Sequence, residues 1–210
     1  MGRRVAPELR RSQIIKALYQ CLAKAGHETV TVKDIAAKAG MTHGIIHYYF
    51  KTKDDIVSGL AESLAEEYAD RLTEYLKPLD SQEVVIEALL DFVVDELVFN
   101  RELNRVFYNL VQMAFQRKVL AKAMQRMLRR YRGRAIELFE ELGAGDDSRA
   151  LGYGLVAVIE GLALQWMIEP RYLDRERVRA LMGRMIGDLI ESSLKAEQSG
   201  AGASERRMGK

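Results

Sequence analysis

Apolar residues recur along nearly the whole chain at steps of three and four, the spacing that lines one face of an α-helix. In the first such stretch, from about Glu8 to Lys24, Ile14, Leu18 and Leu22 fall four apart with Ile15 and Tyr19 beside them. Gly26 follows where a helix C-terminus is commonly closed. Thr31 and Asp34 have the spacing of a capping box, in which side-chain oxygens accept the unpaired N–H groups of a first turn. The helix they open carries Val32, Ile35, Ala36 and Ala39 and stops at Gly40. Thr42 caps a third helix, from about His43 to Tyr49. Thr52 caps a fourth, with Asp54 and Asp55 in its positive first turn. Ile56, Leu60, Leu64, Tyr68, Leu72 and Leu76 then repeat every four residues. Lys77-Pro78 ends this helix, because the residue before a proline is pushed out of the helical region. Five further helices are predicted, over about Gln82–Phe99, Glu102–Gln116, Lys118–Leu142, Asp147–Ile168 and Arg175–Glu197. Gly143-Ala144-Gly145 and Pro170 mark boundaries between them. No Val/Ile/Thr-rich alternating run reads as a strand, and no internal repeat is visible.

The stretch Thr31 to Lys53 carries the chemistry. Two short helices joined by a tight turn at Ala39-Gly40-Met41 have the layout of a helix-turn-helix. A DNA major groove admits one α-helix, and the second helix of such a pair enters it N-terminus first. Thr42 and the first N–H groups of the third helix can meet a phosphate. His43, Gly44, Ile45 and His47 offer short or polar groups to base edges, Gly44 by letting the backbone come close. Tyr48 and Lys53 can reach phosphates on either side, and Arg11, Thr31 and Lys33 complete the candidate DNA-binding set. Ile46 and Phe50 are spaced to face inward onto Ile35 and Ala36. Charge agrees: the whole chain is only +2, but residues 1–57 hold ten Lys and Arg against five Asp and Glu, leaving −3 for the rest. A basic head on a slightly acidic body suits an end that meets a polyanion.

The same stretch resembles the DNA-binding domain of the TetR family of bacterial repressors, from Arg11 to Val57. The resemblance lies in Ile14-Ile15-x-Ala17, Ala25-Gly26, Thr31-Val32-x-x-Ile35-Ala36-x-x-Ala39-Gly40, Gly44-x-Ile46 and Tyr49-Phe50-x-Thr52-Lys53. The Gly-Ile-Ile-x-Tyr-Tyr-Phe run is similar to the BetI-type branch. The family usually carries Tyr where this chain has His47, so its usual phosphate contact falls to either His47 or Tyr48. The resemblance implies an all-α homodimer without enzymatic activity. It implies binding to a palindromic operator in the cytoplasm and release by a small-molecule effector. Ile159 to Pro170 resembles the family's penultimate helix, which with the last helix forms a four-helix dimer interface. Leu155, Ile159, Leu162, Leu181, Met185 and Leu189 would then lie in that interface. Val178, Leu181, Met182, Met185, Ile186, Leu189 and Ile190 form a broad apolar face by their own spacing, which burial within one chain would also explain.

The expected architecture is therefore all-α with about nine helices: a three-helix helix-turn-helix domain over 1–55, a larger helical bundle over 56–197, and a Gly, Ala, Ser and charge-rich tail over 198–210 expected to be disordered. The apolar runs are interrupted before ~18 residues, so no transmembrane helix is expected; residues 151–168 come closest, broken by Glu160 and Gln165. The single cysteine, Cys21, excludes an intramolecular disulfide and is expected in the core. His43 and His47, four apart, share a helix face, but no second ligand pair follows, and neither metal nor cofactor is expected. Histidine is absent after His47, which removes a Ser-His-Asp site from the large domain. Phe92, Tyr108, Gln112, Phe115 and Trp166 are candidates for lining an effector pocket, or for plain core, around a largely apolar small molecule. Glu160, inside an apolar run, is either a carboxylate that meets a polar or cationic ligand or one that pairs with an arginine near a dimer axis; the second is favoured. The arginine-dense tracts 126–134 and 171–179 are either a second nucleic-acid surface or solvated helix faces; the second is favoured, because Glu137, Glu140, Glu141, Asp174 and Glu176 lie close by. The alternative function is a helical DNA-binding architectural or ligand-binding protein without an operator-specific switch.

Overall fold

The computed structural model describes residues 7–76 and 81–188. Its helices are α1 Pro7–Leu22, α2 Val32–Ala39, α3 His43–Tyr49, α4 Lys53–Leu76, α5 Gln82–Asp91, α6 Arg101–Gln116, α7 Lys118–Glu141 and α8 Ser148–Ile168. A last helix, α9, occupies 175–188. A π-helical segment, Phe92–Val98, continues α5, and a 3₁₀ turn, Gly145–Asp147, precedes α8. Among the described residues there is no strand. The predicted stop at Lys77-Pro78, Leu189 and Ile190 of the last predicted helix, and the tail 198–210 lie outside the described residues.

The chain forms two compact units. One combines the chain up to Tyr68 with Arg101–Arg129, and the other combines Ala69–Asn100 with the chain from Arg130 onward. The first unit thus takes in α6 and part of α7 besides the predicted 1–55 segment. Its core contains Ile14, Leu18, Leu22, Ile35, Ile46, Phe50, Ile56 and Leu60, all buried. Burial of a side chain of this size is worth about 1.5–3 kcal/mol. α4 approaches α1 closely at Gly59, where an added Cβ would lie 3.2 Å from Ile15 Cδ1.

Helix ends follow their local chemistry. The Thr31 hydroxyl accepts the Asp34 N–H at 3.3 Å, and the Asp34 carboxylate accepts the Thr31 N–H at 2.8 Å, completing the capping box. Gly40 closes α2 in the left-handed region, φ 63°, which favours glycine. Thr52 and Asp55 exchange the same pair of bonds at the start of α4, at 2.8 and 3.1 Å. Cys21 is half-buried and not a core residue; burial, with Asp34 second, pushes its thiol pKa up.

In the second unit the π-helical register buries the consecutive residues Phe92, Val93 and Val94. A regular α-helix over Gln82–Phe99, as the apolar spacing predicts, would turn part of that run outward. The Phe99 N–H reaches the Val94 carbonyl at 2.9 Å, the i to i−5 bond of the wider turn. α7 and α8 meet at Gly152, where a Cβ would stand 2.6 Å from Ile136 Cγ1 and 2.9 Å from its backbone nitrogen, so only glycine fits. Arg179 of α9 binds both Glu87 and Asp91, and Arg175 binds Asp95.

Glu160 and Gln165 interrupt the apolar run less than their charge and polarity suggest: Gly145–Ile168 keeps a stretch with mean hydropathy 1.5 and is long and apolar enough to cross a membrane by length and composition alone, a test that the core helix of a soluble protein also passes. Only 17% of that stretch is buried. Tyr153, Leu164 and Ile168 on α8 are exposed, as are Leu181 and Met185 on α9.

Candidate nucleic-acid interface

α3 divides sharply between two environments. Ile46 is completely buried, whereas His43, Gly44, Ile45, His47 and Tyr48 are exposed, Tyr48 at 82%. The turn at Gly40 and the Thr42 cap set this orientation: Thr42 accepts the Ile45 N–H at 3.4 Å, so α3 begins one residue after its cap. The His43 and His47 rings meet edge to face with their Nε2 atoms 3.3 Å apart, one donating and the other accepting. Gly44 has nothing within 4 Å of where a Cβ would stand. The fold itself therefore does not need a glycine there.

Other members of the predicted set hold α3 and its neighbours in place. The Arg11 guanidinium donates to the Tyr49 carbonyl at 2.7 Å and lies over the Phe50 ring, 4.1 Å from its centroid. It thereby satisfies a carbonyl that the end of α3 leaves without a helical partner. Thr31 is engaged in the α2 capping box, its hydroxyl also donating to Asp34 at 2.6 Å. The Thr31 bonds hold the Asp34 carboxyl below its ordinary pKa. Lys33 is exposed on α2. Lys53 is half-buried, and its ammonium donates to the His27 carbonyl at 2.9 Å and to the Val30 carbonyl. Burial, with the Arg117 charge second, lowers its pKa. An ammonium has three donors, so these bonds account for two.

Two residues that support this site were not singled out from the sequence. Asn109 of α6 binds the loop between α1 and α2, and Arg117 forms an ion pair with Asp54 at the start of α4. Neither belongs to a local motif; their partners lie 82 and 63 residues away along the chain.

The effector candidates separate. Tyr108, Gln112 and Phe115 belong to the first unit, and Phe92, Glu160 and Trp166 to the second. Phe115 is 86% exposed and Gln112 is exposed, so neither lines an enclosed space in this chain. Phe92 is buried against Tyr75, with ring centroids 5.7 Å apart, and Trp166 packs on Phe99 at 5.2 Å. Glu160 is half-buried, and burial raises its carboxyl pKa, with Arg132 partly offsetting the shift. Arg132 also lies over the Tyr153 ring, 4.8 Å from its centroid. Of the interface candidates, Leu155 is a core residue, because α8 turns it inward among the buried residues of the second unit. Ile159 and Leu162 are partly buried against that core, and Leu181 and Met185 are exposed. Among the described residues no group of three or more metal-ligating side chains occurs.

An all-α chain that presents the polar face of a capped second helix in a helix-turn-helix is a DNA-binding transcriptional regulator, a class that is not enzymatic. Residues 14–60 match the model for bacterial regulatory proteins of the tetR family, and residues 83–191 match that for the C-terminal part of BetI-type transcriptional repressors. The chain belongs to the TetR family, with a C-terminal part of the BetI type. It is 24% identical over 180 residues to the HTH-type transcriptional regulator BetI of Escherichia coli K12, covering 85% of this chain and 92% of that protein. It is 26% identical over 196 residues to the regulator PksA of Bacillus subtilis, covering 91% and 93%. A transcriptional regulator from Saccharomonospora viridis, solved in complex with choline, shares the fold with TM-score 0.70, at 20% identity over 88% of this chain and 96% of that one.

Proposed function

We propose that the chain is a homodimeric cytoplasmic repressor that inserts α3 into the major groove of a palindromic operator and leaves it when a small molecule binds the C-terminal part. The division of α3 carries this reading: Ile46 anchors the helix while His43, Gly44, Ile45, His47 and Tyr48 stand free to meet base edges and phosphates. The basic charge of residues 1–57 adds the sequence-independent attraction.

The dimer reading rests on α8 and α9. An exposed apolar stretch of this length on a DNA-binding regulator marks a protein interface. Tyr153, Ala157, Glu160 and Leu164 follow one another on one face of α8 at steps of three and four. Glu160, sharing that face with Tyr153 and the field of Arg132, is assigned to this surface and not to the effector. Phe92 and Trp166 remain the effector candidates of the second unit. Choline, bound by the S. viridis neighbour, is the first effector to test.

The experiment is selection of bound duplexes from a random pool at near-physiological salt. Enrichment of one inverted repeat supports a dimeric operator-specific regulator and supplies the duplex for effector screening. Salt-sensitive binding without enrichment would replace this reading with that of an architectural DNA-binding protein.

A further inference from the structure

We propose that His43 and His47 form an open two-imidazole site for a divalent zinc-like ion, and that metal occupation and DNA binding at α3 exclude one another. The exclusion rests on the reading of α3 as the groove-entering helix; the metal site does not.

The geometry carries the inference. Zinc–imidazole bonds are 2.0–2.1 Å long, and two of them at a tetrahedral angle span about 3.3–3.4 Å between nitrogens. The Nε2 atoms of His43 and His47 are 3.3 Å apart on adjacent turns of α3. Both side chains are exposed, so an ion reaches them without opening the fold. The existing bond between them requires one Nε2 proton. Moving that proton to Nδ1 of the same neutral ring frees two lone pairs and changes no charge. Two waters would complete a tetrahedron, one more than in catalytic zinc sites, which hold three protein ligands and one open position. A second ligand pair is needed for a closed structural site and not for this one. An ion held here would stand where a base edge must come; its charge attracts phosphates but does not restore the base contacts it blocks.

Zinc titration of the full chain by calorimetry, with the ring nitrogens followed by long-range ¹H–¹⁵N NMR, tests the site. One ion per chain is expected, with both Nε2 resonances of His43 and His47 shifted and His27 unmoved. His43→Gln and His47→Gln should each abolish that pattern. Absence of a shift at either ring, or the same binding in both variants, overturns the site. Duplex binding is then measured with and without saturating Zn²⁺, each variant against its own metal-free value. At least tenfold weakening by zinc, reversed by chelation and absent in both variants, is expected. Zinc bound at both rings with no effect on the duplex overturns the exclusion and places DNA away from α3.

Discussion

Asn109 on α6 accepts the main-chain N–H of His27 through its side-chain oxygen at 2.7 Å, although the two residues are 82 positions apart. Its amide nitrogen donates to the Leu22 and Ala25 carbonyls at 3.1 and 3.4 Å, and to Arg105 of its own helix at 2.9 Å. Lys53 holds the His27 carbonyl from the other side. The loop that aims α2 is thus pinned by one residue of α6 and one of α4. Asn109→Ala removes every one of the amide's bonds and leaves part-buried backbone groups to find water. A loss of about 1–3 kcal/mol in urea unfolding is expected, with faster exchange of the His27 amide. Unchanged exchange at His27 would show that the loop holds itself.

How much of this was legible follows from how far each signal lies from what it controls. Thr31, Asp34, Gly40, Thr42 and Thr52 act within three residues of the helix ends they define, so the sequence shows α2, α3 and the start of α4 directly. Arg11 and Lys53 read as free cations because their carbonyl partners are 38 and 23 to 26 residues away. Asn109 is one polar residue on an amphipathic helix and carries no local sign of its loop. The π-helical segment hides for a related reason: Phe92, Val93 and Val94 fit an apolar pattern whether or not the backbone widens to bury all three. Leu155 has the spacing of the apolar α8 face, but a helix that is apolar on most sides does not reveal which side is the core.

Gly44 separates folding from DNA binding. Nothing stands within 4 Å of its missing Cβ, and it lies in the exposed first turn of α3. Gly44→Ala should raise stability by about 0.5–1 kcal/mol through helix propensity. The same methyl obstructs close approach of the backbone to DNA, and duplex affinity should fall roughly tenfold, about 1.4 kcal/mol. A more stable variant with undiminished affinity would mean that the α3 backbone stays clear of the groove.

Tyr48 and Lys53 were read alike from the sequence, and the structure makes their variants differ. Tyr48 is 82% exposed, so Tyr48→Ala should leave the melting temperature unchanged and weaken binding across all duplexes. Lys53 holds two carbonyls. Lys53→Ala should therefore lower stability by about 1–3 kcal/mol as well as weaken binding. If its remaining donor meets a phosphate, the slope of affinity against salt falls by about one unit. A Lys53→Ala protein with lowered stability and an unaltered salt slope would assign the residue wholly to the fold.

Leu181 and Met185 are 41% and 36% exposed, one turn apart on α9, while the neighbouring row Val178, Met182 and Ile186 is buried. Substituting the exposed pair with Leu181→Glu and Met185→Glu leaves that inner row intact. Light scattering should then report monomers with an unchanged circular dichroism spectrum. Persistent dimers would move the interface off α9.

Glu160 supplies the pH dependence. Burial raises its carboxyl pKa above the ordinary 4.5, and the Arg132 charge opposes the shift without cancelling it. Between the ordinary and the raised value the folded chain holds a proton that the unfolded chain has released, so stability falls as pH climbs through that interval. Above it the ionised carboxylate is a fixed cost. Glu160→Gln removes the ionisation, and the variant should be more stable than the parent at pH 7, with the advantage vanishing below about pH 4.5. Arg132→Met should act oppositely at pH 7, since it deprives the carboxylate of its compensating charge; once Glu160 is already Gln, only the loss of the arginine's contact with the Tyr153 ring should remain, the same at every pH. Urea unfolding of the four proteins at pH 4, 7 and 8 reads all of this. If Glu160→Gln is less stable than the parent at pH 7, attraction to Arg132 outweighs the loss of water, and the pair is a net stabilising ion pair at the α8 face.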